Sequence, residues 1–209
     1  MIRSAAMLRS PSWRGHVARL ALGLALGTST LALPTPGPAG EAEAAVSILM
    51  TLDELVTASS RVVVAEPVER TSRWEELGGG RRIVTYTRLA VDETVAGGAR
   101  SDVWVRTLGG RVDKIGQHVA GEASFTLGEK TMVFLEDVEG ATVVTGMAQG
   151  HFRLAEADGD VVLKASPDAG TLLPRKGPSI AARELLVGAR LTRARALVQD
   201  AWKQRGTHK

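Results

Sequence analysis

The 209-residue sequence predicts a mainly β protein, built as a small closed barrel or a sandwich, with an OB-like barrel as one possible form. A short N-terminal helix and a C-terminal amphipathic helix are expected to flank the β domain. Two observations lead to this class. Short β-branched runs recur between glycine-containing turns, and the alternation of strands with helices that a parallel sheet requires is absent. Cysteine is also absent, which excludes disulfides, thiolate metal sites and cysteine nucleophiles.

Residues 1–44 are predicted to be a secretory signal peptide with its cleavage region. Four arginines and no acidic residue precede an apolar run at 20–27, and three prolines follow the run. The run is shorter than the roughly 20 apolar residues of a membrane span. Cleavage after Ala44 or after Ala32 fits the small-residue rule. We therefore expect export to the periplasm or the medium, and no transmembrane span in the mature chain.

A capping box opens the predicted fold, with Thr51 as the N-cap and Glu54 as the third helical residue. This pattern indicates a short helix that ends near Ser59. The residues of this helix expected to face the core are Leu52, Leu55 and Val56.

Three strands are predicted in the first half of the β domain. Residues 61–70 form a β-branched run, in which Pro67 indicates an edge or a bulge. Residues 82–93 form the clearest strand, residues 102–108 form the next, and a Gly-Gly turn separates them. Period-two alternation assigns to the core Ile83, Thr85, Thr87, Leu89, Val91, Val103, Val105 and Thr107.

A glycine-spaced segment at 109–128 follows, and its glycines indicate either turns with positive φ or a binding loop. Asp158-Gly159 is a two-residue hairpin signal between the last two strands. The strands predicted after this segment are 131–136, 141–145, 151–156 and 161–164.

Residues 171–209 are predicted to contain a linker at 174–178 and one amphipathic helix of about 24 residues, capped by Ser179. Its apolar stripe comprises Ile180, Val187, Leu191, Ala194, Val198 and Trp202. We expect this helix to cover an open end or an exposed edge of the β domain at 45–170. The alternative is docking on a partner or on a membrane surface.

Charge is unevenly divided along the mature chain. Residues 45–170 carry 13 basic and 19 acidic side chains, whereas residues 171–209 carry 9 basic and 2 acidic side chains. The basic tail is expected to pack on the acidic body, and an acidic partner or an anionic membrane is the alternative. Nucleic acid is not an expected ligand, because the body is acidic and carries no nucleic-acid-binding motif.

The outer face of the hairpin formed by 82–93 and 102–108 carries the candidate binding residues, which are Tyr86, Arg88, Trp104 and Arg106. If the core faces of the two strands match, these four side chains share the solvent side. Two aromatic rings and two guanidinium groups can hold an anionic or planar ligand. The two arginines could also be directly opposed, which an anion would relieve. The ordinary interpretation is a solvated face or a platform for the C-terminal helix.

A second hypothesis is a metal site formed by His118 and His151 with Asp113 or Glu122 as the carboxylate ligand. Two strand-end histidines in unrelated polar contacts are the alternative. Nucleophile elbows, phosphate loops, dinucleotide fingerprints and calcium loops are absent from the sequence. No cofactor is therefore expected.

Three segments at 84–97, 107–135 and 146–154 carry a resemblance, and the first and last read V-T-Y-T-R-L-A-V-D-E-T-V-A-G and G-M-A-Q-G-H-F-R-L. Through them, residues 50–165 resemble an uncharacterised family of exported bacterial proteins familiar from myxobacteria-like genomes. The resemblance implies an exported β-barrel domain and no catalytic residues. The order of segments also resembles netrin-like, OB-type modules of protease inhibitors. This chain lacks their cysteines, so inhibition through an N-terminal cysteine is not implied.

These observations favour a non-catalytic module of the cell envelope or secretome that binds a protein or an anionic glycan. The alternative from another class is a metal-binding protein or metal-dependent enzyme that uses His118 and His151. A structural envelope protein, with assembly through the C-terminal helix, is the third hypothesis.

Overall fold

The structure is a computed structural model, and it describes residues 46–174, 177 and 179–205. The predicted signal peptide lies outside the described residues, as does most of the predicted linker. The described strands are β1 Val46–Ile48, β2 Arg61–Leu77, β3 Gly80–Gly97, β4 Asp102–Leu108, β5 Gly110–Val112, β6 Ile115–Gln117, β7 Thr131–Val138, β8 Ala141–Val144, β9 His151–Ala157, β10 Asp160–Ala165 and β11 Thr171–Leu173. The helices are α1 Leu52–Ala58, a 3₁₀ turn Met147–Gly150, α2 Ala182–Leu186 and α3 Leu191–Gln204.

Seven of these strands form one sheet in the order β10-β9-β7-β2-β3-β4-β8. A further pairing of β7 with β8 brings the sheet back on itself, so that five strands form a ring. The ring is only partly closed, because β4 and β8 pair through the single residue pair Val105 and Thr142. The prediction of a mainly β, barrel-like or sandwich-like domain is confirmed.

The two longest strands, β2 and β3, form a hairpin that belongs to the ring at one end and extends beyond it at the other. β2 pairs with β7 over residues 61–65, and beyond Ala65 its described backbone pairs only with β3. Gly78 and Gly79 turn the chain at the tip with φ of 60° and 78°. The register of β2 against β3 shifts at Pro67, where the sequence predicts an edge or a bulge.

Alternate residues of the ring strands enter two different apolar clusters. One cluster fills the ring, and β2 contributes Val63 and Ala65 to it. The other, which we call the outer cluster, lies between the outside of the ring and the helices, and β2 contributes Val62 and Val64 to it. Because side chains of a strand point alternately to opposite faces, a strand buried on both faces has an unbroken apolar run such as that of residues 62–65.

The N-terminal helix forms as predicted. Thr51 Oγ1 accepts a hydrogen bond from the Glu54 backbone N–H at 3.2 Å, and a Glu54 carboxylate oxygen accepts one from the Thr51 N–H at 2.9 Å. Leu52, Leu55 and Val56 are buried, and the helix ends at Ser59. The capping box therefore satisfies two backbone donors that the first helical turn leaves unpaired.

The predicted C-terminal amphipathic helix is confirmed as α3, but its predicted length of about 24 residues is wrong, because the segment forms the two helices α2 and α3. Gly188 breaks the helical path with a φ of +80°, and Ala181 is the N-cap in place of Ser179. Ile180 and Val187 are exposed, whereas Ala194 and Val198 are fully buried against the outer cluster. The apolar stripe is thus real only within α3.

The basic tail packs on the body through its charges as well as its apolar face. Arg195 forms an ion pair with Glu93 of β3 at 2.5 Å, and Arg190 forms one with Asp160 of β10 at 3.0 Å. Both pairs are partly exposed, so each contributes at most about 1 kcal/mol. Among the described residues, no helix has the length and apolar character needed to cross a bilayer.

Candidate functional site

The strand register brings the four predicted binding residues together on the outer face of β3 and β4. Tyr86 lies opposite Arg106, and Arg88 lies opposite Trp104. Each arginine therefore faces an aromatic ring across the strand pair, and the arginine-opposite-arginine arrangement considered from the sequence does not occur. We call the surface formed by Tyr86, Arg88, Trp104 and Arg106 the outer face.

Two acidic residues of β2 border the outer face. Arg88 Nε donates to Glu69 at 3.0 Å, and the Tyr86 hydroxyl donates to Glu75, also at 3.0 Å. Arg73 forms an ion pair with the same Glu75 carboxylate at 2.6 Å, and its guanidinium lies 4.5 Å from the Tyr86 ring centroid. Trp104 is 41% exposed and is the largest apolar side chain on this surface.

A cavity of about 440 Å³ lies on the opposite side of the same strands. Its floor carries the hydroxyl groups of Ser72, Thr85, Thr87 and Thr107, for which we call it the hydroxyl cavity. Residues of the 109–128 segment form its wall, including His118, Glu122 and Phe125, together with Asp168. The glycine-spaced segment thus supplies turns and also borders a cavity, so its two interpretations from sequence are compatible.

The backbone of β5 approaches the side chains of β2 and β3 closely where it forms this wall. A Cβ at Gly110 would lie 2.1 Å from Thr85 Oγ1 and 2.7 Å from Ser72 Oγ, and the φ of Gly110 is +127°. The small β5–β6 hairpin can therefore sit directly on the hydroxyl groups of β2 and β3 only if glycine occupies this position. The Gln117 side chain also fixes the hairpin, because its Oε1 accepts a hydrogen bond from the Ile83 N–H at 2.7 Å.

Glu122 stands between the hydroxyl cavity and a neighbouring one of about 350 Å³, which Arg106 and Glu136 also line. Burial raises the pKa of the Glu122 carboxyl to about 7. Hydrogen bonds from the backbone of Leu108 and Ala123, and the charge of Arg106, oppose this shift. The Glu122 carboxyl group therefore changes its protonation state near neutral pH.

The four proposed metal ligands do not form a cluster. His118 and Glu122 line the hydroxyl cavity, whereas His151 is buried and its Nδ1 lies 3.2 Å from Ser166 Oγ. His151 also packs against the Phe125 ring, with 4.8 Å between ring centroids. Asp113 lies in the turn between β5 and β6 with a φ of +53°. Over the residues that the structure describes, no three histidine or carboxylate side chains are grouped to hold a metal ion.

Sequence reasoning missed the hydroxyl cavity itself. Alternation assigns Thr85, Thr87 and Thr107 to the core, and they are buried. The available signal is their polarity, because three threonines on one buried face of two paired strands need hydrogen-bond partners or a ligand. The predicted core residue Val91 is only partly buried, and Val84, which alternation places on the face opposite the predicted core residues, is fully buried.

The fold and these two surfaces define a mainly β protein with a partly closed strand ring and one candidate ligand surface on each side of β3 and β4. Comparisons with protein-family models, with curated proteins and with solved structures give no match for this chain. The resemblances to exported bacterial β-barrels and to netrin-like modules stay predictions.

Proposed function

We propose that this chain is an exported, non-catalytic binding module of the cell envelope or secretome, and that the outer face engages an anionic glycan. The observation that carries the proposal is the register of β3 against β4. It sets two aromatic rings and two guanidinium groups side by side on a solvent-facing sheet. Export itself rests on the sequence pattern of residues 1–44.

The chemistry of the outer face suits a polymer that has both charged groups and flat apolar ring faces. Guanidinium groups bind carboxylate and sulfate groups through paired hydrogen bonds. The exposed Trp104 ring offers a flat apolar surface on which a sugar ring can lie.

Arg106 is the cation most available to such a ligand. Arg88 is engaged by Glu69, and Arg73 by Glu75, in partly exposed ion pairs. No carboxylate lies within ion-pair distance of Arg106 among the described residues. An anion that approaches the outer face therefore meets Arg106 without displacing a protein carboxylate.

Calorimetric titration with a heparin oligosaccharide, with oligoguluronate and with uncharged dextran tests the proposal. We expect binding of at least one polyanion, no binding of dextran, and a loss of about tenfold in affinity for Trp104→Ala and for Arg106→Gln, roughly 1.4 kcal/mol each. The matched controls are Trp74→Ala, which lies on the other face of β2, and Arg111→Gln, which lies on the β5–β6 hairpin.

Two outcomes would overturn the glycan proposal. One is a polyanion affinity that Trp104→Ala and Arg106→Gln leave unchanged. The other is no polyanion binding, combined with saturable capture of an envelope protein that these same variants abolish. The second outcome would keep the outer face as the site and make its ligand a protein.

A further inference from the structure

We propose that the hydroxyl cavity is a second ligand site, separate from the outer face, and that it takes an uncharged polyhydroxylated ring of the monosaccharide class. The site does not depend on the glycan proposal, because it lies on the opposite side of β3 and β4 and is formed by different residues. Its volume of about 440 Å³ lies within the range of roughly 300–1,000 Å³ typical of small-molecule sites.

The floor of the cavity is an ordered set of hydroxyl groups. Ser72 Oγ and Thr85 Oγ1 are 2.8 Å apart, and Thr85 Oγ1 donates to the Gly109 carbonyl at 2.7 Å. Thr107 Oγ1 donates weakly to the Thr85 carbonyl at 3.4 Å. Such hydroxyl groups keep free lone pairs, so they can accept hydrogen bonds from the hydroxyl groups of a ligand.

Thr87 adds a further hydroxyl group to the cavity. Its side chain lines the cavity, although the residue as a whole is only 1% exposed. Its hydroxyl is not one of the fully enclosed polar atoms that lack a partner, so it is reachable from the cavity. A hydroxylated ligand there can both donate to this hydroxyl and accept from it.

The charged residues around the cavity favour an uncharged ligand, because its lining holds two arginines and two acidic residues, whose charges nearly balance, and each arginine and Asp168 also forms a hydrogen bond within the protein. Arg70 donates to the Phe125 carbonyl at 3.2 Å, Arg111 donates to the Asp113 carbonyl at 3.2 Å, and Asp168 accepts from Ser124 Oγ at 2.5 Å. Glu122, with its pKa raised to about 7 by burial, presents a carboxyl that can both donate and accept when protonated.

The cavity also has an apolar wall suited to the C–H face of a sugar ring. Phe125 and Ala123 are buried and line the cavity beside Val119. The Phe125 ring is held in place by its packing against His151. A polar floor opposite an aromatic wall is the arrangement that recognises a ring with hydroxyl groups at its rim and C–H groups on its faces.

Saturation-transfer NMR with glucose, N-acetylglucosamine and glucuronate at equal concentrations tests the inference on the intact protein. We expect transfer to the ring protons of at least one uncharged sugar and weaker transfer to glucuronate. Thr87→Val, which keeps the side-chain shape and removes the hydroxyl, should weaken the affinity by roughly three- to tenfold. Thr126→Val, at an exposed position outside the cavity, is the matched control.

Amide chemical-shift mapping of the unmodified protein keeps the test valid if Thr87→Val fails to fold. Shifts confined to residues 70–72, 85–87, 107–125 and 168 would support the site. The inference is overturned by an absence of transfer to either uncharged sugar, by shifts confined elsewhere, or by a folded Thr87→Val with unchanged affinity. Trp104→Ala should leave the sugar signal intact, which separates this result from any failure at the outer face.

Discussion

His151 and Glu122 are two partly or fully buried titratable residues whose pKa values move in opposite directions from the same cause. Burial lowers the pKa of His151 to about 4 and raises that of Glu122 to about 7, because it disfavours the charged form of each. Asp168 opposes the shift of His151, and Arg153 adds to it. Both groups stay neutral in the folded state over much of the mildly acidic range.

The contributions of His151 and Glu122 to the pH dependence of stability have opposite signs, so replacing His151 with glutamine should reveal that of Glu122. Wild-type His151 binds a proton in the unfolded chain below about pH 6.5 but in the folded chain only near pH 4, so its contribution to stability is lost as the pH falls through that window. The loss should reach about 2 kcal/mol at pH 5. Without His151, the stabilising contribution of Glu122 at low pH is no longer offset. Urea unfolding should therefore show His151→Gln more stable at pH 5 than at pH 7.5.

Glu122→Gln should give the opposite slope. A folded pKa above the unfolded value stabilises the protein below about pH 4.5, and that stability is lost as the pH rises through about 7. Without this carboxyl the protein should be about 2 kcal/mol more stable at pH 7.5 than at pH 5. An exposed control, Glu156→Gln, should keep the wild-type profile, and parallel profiles for all three proteins would contradict the burial of both groups.

Some site residues could be predicted from the sequence and others could not. Tyr86, Arg88, Trp104 and Arg106 share one face because strand alternation and an even register follow from local pattern alone. The pairing of Glu69 with Arg88 depends on the bulge at Pro67, which shifts the register by an amount that the sequence does not encode locally. The cavity depends on contacts between residues far apart in the chain, such as Gly110 with Ser72.

At the scale of single elements, the capping box of α1 gives a direct test. Thr51→Ala removes the oxygen that accepts from the Glu54 N–H, so we expect a loss of about 1 kcal/mol in the free energy of unfolding. Thr57→Ala makes the same chemical change at an exposed position of the same helix and should have little effect. Equal losses for the two variants, measured by urea unfolding, would contradict the role of the cap.

The C-terminal helix α3 is a structural part of the domain. Val198 is fully buried in the outer cluster, so Val198→Ala should cost about 2 kcal/mol through lost apolar burial and the cavity left behind. Thr192→Ala on the exposed side of α3 is its control. If thermal unfolding shows no difference between them, α3 does not rest on the ring in solution and assembly through this helix becomes the better hypothesis.

The helix break shows the limit of periodicity as a guide to elements. Ile180 and Val187 continue the apolar stripe of α3 on a helical wheel, but a glycine follows Val187 immediately. Gly188 there adopts the left-handed conformation that ends helices, and this signal outweighs the periodicity. Strand ends are predicted best where turn residues bound them, as at Asp158-Gly159, whereas the prediction for β2 ends at residue 70 and the strand continues to Leu77.

For the whole molecule, the partly closed ring predicts an uneven distribution of stability. β2, β3 and β7 contact both clusters and pair on both edges near the ring, whereas β8 meets β4 through one residue pair. Hydrogen exchange should therefore be slowest for Val62–Ala65 and Met132–Leu135, and faster in β8 and at the tip of the β2–β3 hairpin. Uniform protection around all five strands would instead indicate a fully closed ring.

A substitution scan along β3 and β4 should distinguish the two surfaces, because even-numbered and odd-numbered residues lie on opposite faces. Even-numbered positions such as 86 and 104 lie on the outer face, and odd-numbered positions such as 85, 87 and 107 lie on the cavity side. Loss of polyanion binding and loss of sugar binding should therefore alternate from one residue to the next. A one-residue insertion at the start of β3 would exchange the two sets on that strand, presenting Thr85 and Thr87 to the solvent and Tyr86 and Arg88 to the cavity. β3 should therefore tolerate substitutions far better than insertions.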